Sequence, residues 1–418
     1  MQTALAAFIR DTPAGREADA ILRRCVHCGF CTATCPTYQL TGDELDGPRG
    51  RIYLIKQVLE GASPTAKTRL HLDRCLTCRS CETTCPSGVE YARLLDIGRH
   101  VVAERAPRPA AERAARWALR RTLLAKPLFG AAVALGRSFR PLLPATLARK
   151  VPGGASAGQW PAAVHPRTML LQEGCVQPAL APGIDAAMAR VLDRIGITLL
   201  RAQGGGCCGA LPHHLDASEE GRDCARRNID AWWPHVERGA EAIVITASGC
   251  GVMVKDYGRF LRDDPAYAQK ATRVAALAKD TVEVIAAEWP KIAPRVAMDR
   301  GAQKVAFHPP CTLQHGMRLK GRVEEILGAM GLTLVPVRDA HLCCGSAGTY
   351  SMLQPAFAAS LRQRKIDALT AGQPEVIATA NIGCLVHLAE VASPPVRHWI
   401  ELLDDRMVGG AARPPGRE

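Results

Sequence analysis

The chain has 418 residues, 47% of them hydrophobic, a formal net charge of +13 and 17 cysteines. That length supports more than one buried core, so the thiols do not replace a core as they do in small secreted folds, and the composition excludes collagen, coiled coil and wholesale disorder. The longest clean apolar run, Pro127 to Gly136, is about half the roughly 20 residues that a membrane span needs.

No signal peptide is expected at the N-terminus, since the apolar run Ala4 to Ile9 is short and Arg10 and Asp11 follow it. The expectation is a cytoplasmic chain, where thiols stay reduced and an excess of cysteine points to metal or redox chemistry.

Residues 1–98 contain two copies of one motif. Cys25-Val-His-Cys28-Gly-Phe-Cys31-Thr-Ala-Thr-Cys35-Pro36 recurs 50 residues later as Cys75-Leu-Thr-Cys78-Arg-Ser-Cys81-Glu-Thr-Thr-Cys85-Pro86. Both read C-x2-C-x2-C-x3-C-P, the bacterial spacing for [4Fe–4S] clusters, in which the fourth cysteine ligates the other cluster. This crossing rule assigns Cys25, Cys28, Cys31 and Cys85 to a first cluster, and Cys75, Cys78, Cys81 and Cys35 to a second. A zinc site built from the two C-x2-C pairs would leave four cysteines and both prolines without a role. Between the runs, Arg51 to Glu60 places Ile52, Ile55, Val58 and Leu59 on one helical face. Two clusters held by a crossed set must be close, and closeness suits electron transfer.

Residues 99–166 form a basic connector. From Arg99 to Lys150 there are 12 Lys plus Arg against Glu104 and Glu112. A helix is expected over Arg113 to Ala125, stopped by Pro127, and a flexible linker over Pro152 to Pro166. A basic helix bearing Trp117 and several leucines suits three roles: a solvated helix, a dock for an acidic partner, or peripheral membrane contact through residues 99–150 on anionic lipid. No nucleic-acid-reading motif accompanies the charge, so nucleic acid is not an expected partner.

Residues 167–300 and 301–403 read as a repeat, followed by a tail over 404–418. Cys175, Cys207 and Cys208 recur 136 residues later as Cys311, Cys343 and Cys344, and Cys250 recurs as Cys384. Strand-like runs at Met169–Leu171, Ala242–Thr246, Lys304–Phe307 and Val376–Ala380, and after Arg194 and Met330, alternate with helical stretches. The expected fold class is therefore α/β: a helical, ferredoxin-like two-cluster domain followed by two related parallel α/β Cys-Cys-Gly units. Ligands sit outside the carboxyl ends of parallel strands. Each unit thus gathers four thiols, a further metal or redox site being expected in at least one copy with buried core cysteines as the alternative, and the two units are expected to face each other. Cys224 has no counterpart and is expected to be helix core. His27, His213, His214, His308, His341 and His387 lie near cysteines in sequence, but each is by default a hydrogen-bonded loop residue. Gly204 to Gly209 matches G-x-G-x-x-G, yet it follows the second strand and the second copy lacks the leading glycines, so no nucleotide cofactor site is expected. No general base or nucleophile motif appears, and no catalytic residue is assigned.

Together these motifs resemble the iron–sulfur electron-transfer subunits of respiratory dehydrogenases, including anaerobic glycerol-3-phosphate dehydrogenase, lactate utilisation proteins and heterodisulfide reductase relatives. Longer stretches resemble the iron–sulfur subunits of glycolate dehydrogenase, also called glycolate oxidase: Cys25 to Tyr38, Gly42 to Lys56, Asn228-Ile-Asp-Ala-Trp-Trp233, His341 to Tyr350 and Val396-Arg-His-Trp-Ile400. The resemblance implies flavin-containing (FAD) partner subunits that oxidise glycolate, or D-lactate, with electrons passing through this chain's clusters to an acceptor, quinone rather than oxygen, at the cytoplasmic face of the inner membrane. The same role in a lactate or glycerol-3-phosphate dehydrogenase, or a metal-stabilised scaffold without redox turnover, are the alternatives. Fully equipped Cys-Cys-Gly domains end in C-x-x-C; here Met253 and His387 stand at those places, which puts an additional cluster there in doubt.

Overall fold

The computed structural model describes all residues except 143, 145–152, 154–156, 163, 299–302 and 409–418. Most of the expected linker's first half, and the end of the tail, lie outside the described residues.

The N-terminal unit is helical. The helix Pro48–Leu59 buries Ile52, Ile55, Val58 and Leu59 and packs against the helix Tyr91–Arg105, the apolar face expected from the spacing. The two helices meet at Gly98, where a Cβ would fall 2.6 Å from Ile55. Each cysteine run is a loop followed by a short helix, Phe30–Ala33 or Ser80–Thr84, and Pro36 opens the next helix at its first turn, where a missing N–H costs nothing. The helix Tyr91–Arg105 runs through residues 98 and 99, so the first unit continues into the expected connector without a break. The connector itself is two helices, Ala110–Leu124 and Lys126–Phe139.

The two Cys-Cys-Gly units each hold a four-stranded, wholly parallel sheet. The first comprises β1 (Arg167–Leu171), β2 (Ile197–Arg201), β3 (Ile243–Ile245) and β4 (Ala278–Asp280), in the order β2-β1-β3-β4. The second repeats this as β6-β5-β7-β8 with β5 (Lys304–His308), β6 (Thr333–Leu334), β7 (Val376–Thr379) and β8 (Val396–His398). The edge strands β4 and β8 add to the three strands per unit read from the sequence. One apolar core runs across both units and joins Leu171, Val244 and Ile285 to Phe307, Ala378 and Trp399. The helix Trp399–Arg406 extends past residue 403 and packs on Gly183–Asp193, with Asp404 paired to Arg190 and Arg194. The cysteine loops do face each other: Ser248 Oγ lies 2.7 Å from Thr312 Oγ1, and Gly249 N–H donates to Asn381 Oδ1.

Candidate metal centres

The eight N-terminal cysteines line two clefts. The first, about 440 Å³, is lined by Cys25, Cys28, Cys31, Cys81 and Cys85, with His27, Arg49 and Tyr91. The second, about 300 Å³, is lined by Cys35, Cys75, Cys78 and Cys81, with Arg51, Arg79 and Tyr91. Cys85 thus faces the first run and Cys35 the second run. Cys81 and Tyr91 border both clefts. Left-handed residues turn the backbone around the sulfurs: His27, Gly29, Thr77 and Arg79 all have positive φ.

Cys25, Cys31, Cys78 and Cys81 are disfavoured as isolated anions. Burial, then the nearby Cys25 thiol, pushes the Cys31 thiol up to about 11. Burial raises Cys78 strongly, reinforced by Cys311, and burial raises Cys81, reinforced by Cys78. Neutral thiols at this density are inert, and a bound cation is what converts such a set to thiolates.

The repeat units collect the remaining thiols. In the first, Cys207 touches the thiols of Cys175, Cys208 and Cys224, and Cys208 touches Cys250. Cys224 is buried in the helix Ser218–Glu237, as expected, but it also belongs to this sulfur cluster. Nothing in the repeat could have flagged it. In the second unit, Cys343 touches Cys311 and Cys344, and Cys344 touches Cys384.

The glycine of each Cys-Cys-Gly has a clear physical reason. Gly209 and Gly345 have φ of 93° and 92°. A Cβ would lie 2.5 Å from Gly221 O in the first unit and 2.7 Å from Ala358 O in the second. Each glycine N–H donates to the first thiol of its pair, Cys207 or Cys343, at 3.4 Å.

The second unit abuts the second cleft. Leu76, Cys311, Cys343 and Tyr350 share one apolar cluster, with Cys78 packed against it. His315 fastens this contact, its ring meeting Thr83 Oγ1 at 2.9 Å and donating from Nε2 to His341 O at 3.0 Å.

The histidines divide. His213 bonds Ser218 Oγ at 3.1 Å and approaches Asp96 at 3.6 Å, tying the first unit to the N-terminal helices. His387 donates from Nε2 to Ala358 O at 3.4 Å. His308 departs from the loop-residue expectation: it ends β5, is wholly buried, and neither ring nitrogen has a hydrogen-bond partner.

The basic connector also departs from the expected free charge. Arg108 and Arg116 are buried and share Asp73, Glu112 and Asp216; Arg120 pairs with Glu220 and Lys126 with Glu173. It also exposes an apolar stripe, Leu128, Leu135, Phe139 and Leu142, and its exposed cations include Arg113 and Arg121. Among the described residues no helix is long and apolar enough to cross a membrane.

Comparison with known proteins agrees with this geometry. Residues 21–89 match the model of the 4Fe-4S dicluster domain, and 169–255 and 305–389 each match the cysteine-rich domain. The chain is 54% identical over 408 residues to the glycolate oxidase iron-sulfur subunit of Escherichia coli (strain K12), covering 97% of this chain and 99% of that protein. It belongs to the glycolate oxidase iron–sulfur subunit family. A probable glycolate oxidase iron-sulfur subunit of Bacillus subtilis (strain 168) is 28% identical over 402 residues, 89% of each chain. Lactate utilization protein A of an Exiguobacterium species is 26% identical over 218 residues, 51% of this chain and 85% of that one. The residues present fit iron–sulfur clusters, because at least four thiols drawn from two chain segments converge on each of two adjoining clefts.

Proposed function

We propose that this chain is the electron-carrying subunit of a glycolate-oxidising complex, with two [4Fe–4S] clusters held by the N-terminal cysteines. Cys25, Cys28, Cys31 and Cys85 would hold one, and Cys35, Cys75, Cys78 and Cys81 the other. Bound there, the clusters supply one-electron redox chemistry. The observation that carries the reading is the pair of adjoining clefts, each lined by thiols from both runs. Their shared border at Cys81 and Tyr91 keeps the two centres adjacent, as a relay requires. Cys78 packs against the apolar cluster that contains Cys311 and Cys343, so the second repeat unit lies beside the second cleft.

Substrate oxidation would belong to flavin-containing partner subunits, since no acid–base or nucleotide motif is found here. Glycolate is the favoured fuel because the relative covering 97% of this chain carries that name; D-lactate is the second candidate. The acceptor would be a quinone. The exposed stripe Leu128, Leu135, Phe139 and Leu142 would rest the complex on the cytoplasmic face of an anionic membrane.

The test is anaerobic purification of the chain with its flavin-bearing partners. The expected protein is brown, carries about eight irons per chain in the N-terminal sites, bleaches on reduction, and reduces a quinone analogue with glycolate. Colourless protein holding zinc would favour the scaffold alternative. Undiminished quinone reduction in Cys28→Ser or Cys78→Ser would sink the relay.

A further inference from the structure

We infer that the second Cys-Cys-Gly unit contains a mixed nitrogen–sulfur metal site in which His308 is a ligand, and that the first unit contains no equivalent of it. The His308 ring, Cys344 Sγ and Cys384 Sγ offer donor atoms that all lie within 4.8 Å of one another, and all three residues are buried. Both ring nitrogens of His308 lack a partner in a fully buried position. Such a group costs free energy unless something binds it. A metal ion bound by one nitrogen removes much of that penalty. Cys343, in contact with Cys344, is the next available thiol. One imidazole with two or three thiolates is a donor set for a borderline-to-soft divalent ion of the Zn²⁺ or Fe²⁺ type, in tetrahedral geometry.

The comparison between the units sharpens the point. Strand register makes Gln172 the counterpart of His308: Leu171 pairs with Val244 as Phe307 pairs with Ala378, and each residue in question comes next. Gln172 is also buried, but its Nε2 donates to Gly206 O at 2.9 Å, so its amide is committed to the backbone. The first unit differs in the opposite sense at a second position. Gly221 and Ala358 take the same place against the Cys-Cys-Gly glycine. Three residues later the first unit has Cys224, touching Cys207, and the second has Leu361. The first unit is therefore an all-sulfur cluster of five thiols, and the second exchanges one sulfur for a buried imidazole. The two units therefore present different donor chemistry at matching places in the fold.

The experiment uses the full-length chain with its N-terminal iron already in place, and Co²⁺ as the probe. Wild-type protein is expected to bind Co²⁺ with a visible tetrahedral ligand-field spectrum and thiolate charge-transfer bands. His308→Gln, which installs the residue of the first unit, is expected to lose one equivalent or to weaken that site at least about tenfold, while N-terminal iron stays unchanged. His308→Cys is expected to keep the metal with a stronger charge-transfer envelope. Unchanged cobalt stoichiometry, affinity and spectrum in His308→Gln would overturn the assignment. So would loss of the site in His308→Cys with N-terminal iron intact, because a thiolate should replace an imidazole there. Turnover plays no part in the readout, so failure of the relay reading leaves this test standing.

Discussion

Arg51 and Asp46 face each other in the interior, Nη2 3.6 Å from Oδ1, both side chains almost wholly removed from water. Asp46 also meets the His71 ring at 2.9 Å and Arg74 at 2.8 Å, and Arg51 donates to His71 O at 2.7 Å and to Thr37 Oγ1. Arg51 lines the second cleft. The pair therefore does two things: it holds the first cysteine run against the helix before the second run, and it places a fixed positive charge beside a site whose ligands are thiolates. Asp46→Asn leaves Arg51 buried without its counter-charge. The expected cost is about 3–5 kcal/mol, read as a lower midpoint of anaerobic denaturant unfolding. An unchanged midpoint would show that the network contributes nothing.

The crossing of the two runs is a separate prediction. Cys85 lies in the second run but borders the first cleft, and Cys35 does the reverse. Cys85→Ser and Cys31→Ser should therefore perturb the same cluster, with matching changes in low-temperature EPR, and Cys35→Ser should match Cys75→Ser instead. If Cys85→Ser grouped with Cys75→Ser, the crossed assignment would be wrong.

Gly345→Ala asks an L residue to adopt φ 92° and brings a Cβ within 2.7 Å of Ala358 O. Strain plus the clash should cost about 2 kcal/mol or more. It should also displace the N–H that donates to Cys343. The measurement is thermal unfolding together with cobalt uptake in the second unit. Gly328→Ala is the control, because no atom lies within 4 Å of the added methyl.

What the sequence made legible, and what it did not, follows from the range of the interactions involved. The two cysteine runs and the Cys-Cys-Gly repeat are local spacings, and spacing is visible without a fold. The parallel sheets followed from alternating strand and helix patterns, but β4 and β8 did not. Each has only three residues, and Ala278-Lys-Asp280 carries no β-branched or aromatic signal. Cys224 and His308 escaped for a different reason. One has no repeat partner, and the other is set apart by complete burial at the end of β5 and by two unpartnered ring nitrogens, which are three-dimensional properties. The connector's basic charge was countable, but the pairing of Arg108, Arg116, Arg120 and Lys126 was not, because Asp73, Asp216, Glu173 and Glu220 come from distant parts of the chain.

His398 provides a pH prediction. It caps the helix Trp399–Arg406, its Nδ1 accepting from Ile400 N–H, and burial pushes its pKa down to about 3. Between about pH 3 and 6.5 the unfolded chain carries a proton here that the folded chain lacks. Stability from this residue is therefore complete above about pH 6.5 and falls as pH drops toward 3, with a slope up to about 1.4 kcal/mol per pH unit. His398→Asn can still cap the helix but does not titrate. Denaturant midpoints from pH 7.5 to 5 should fall less steeply in the variant. Parallel slopes would contradict the buried neutral imidazole.

The connector yields the last prediction, and it separates apolar from electrostatic membrane contact. Four of its twelve cations are held in internal ion pairs, which withdraws part of its charge from the surface. Leu128, Leu135, Phe139 and Leu142 instead follow helical spacing on the outward face of Lys126–Phe139 and the turn beyond it. An interfacial helix binds in proportion to its buried apolar area, with anionic lipid adding a smaller share. Leu135→Glu with Phe139→Glu should therefore reduce sedimentation of the complex with anionic vesicles by at least about tenfold, since each change removes apolar area and adds repelling charge. Arg113→Gln, an exposed cation on the preceding helix, should change it by less than about threefold and mainly at low salt. If the two variants weakened binding equally and salt abolished it in both, the contact would be electrostatic, and the apolar stripe would have to face a protein partner instead.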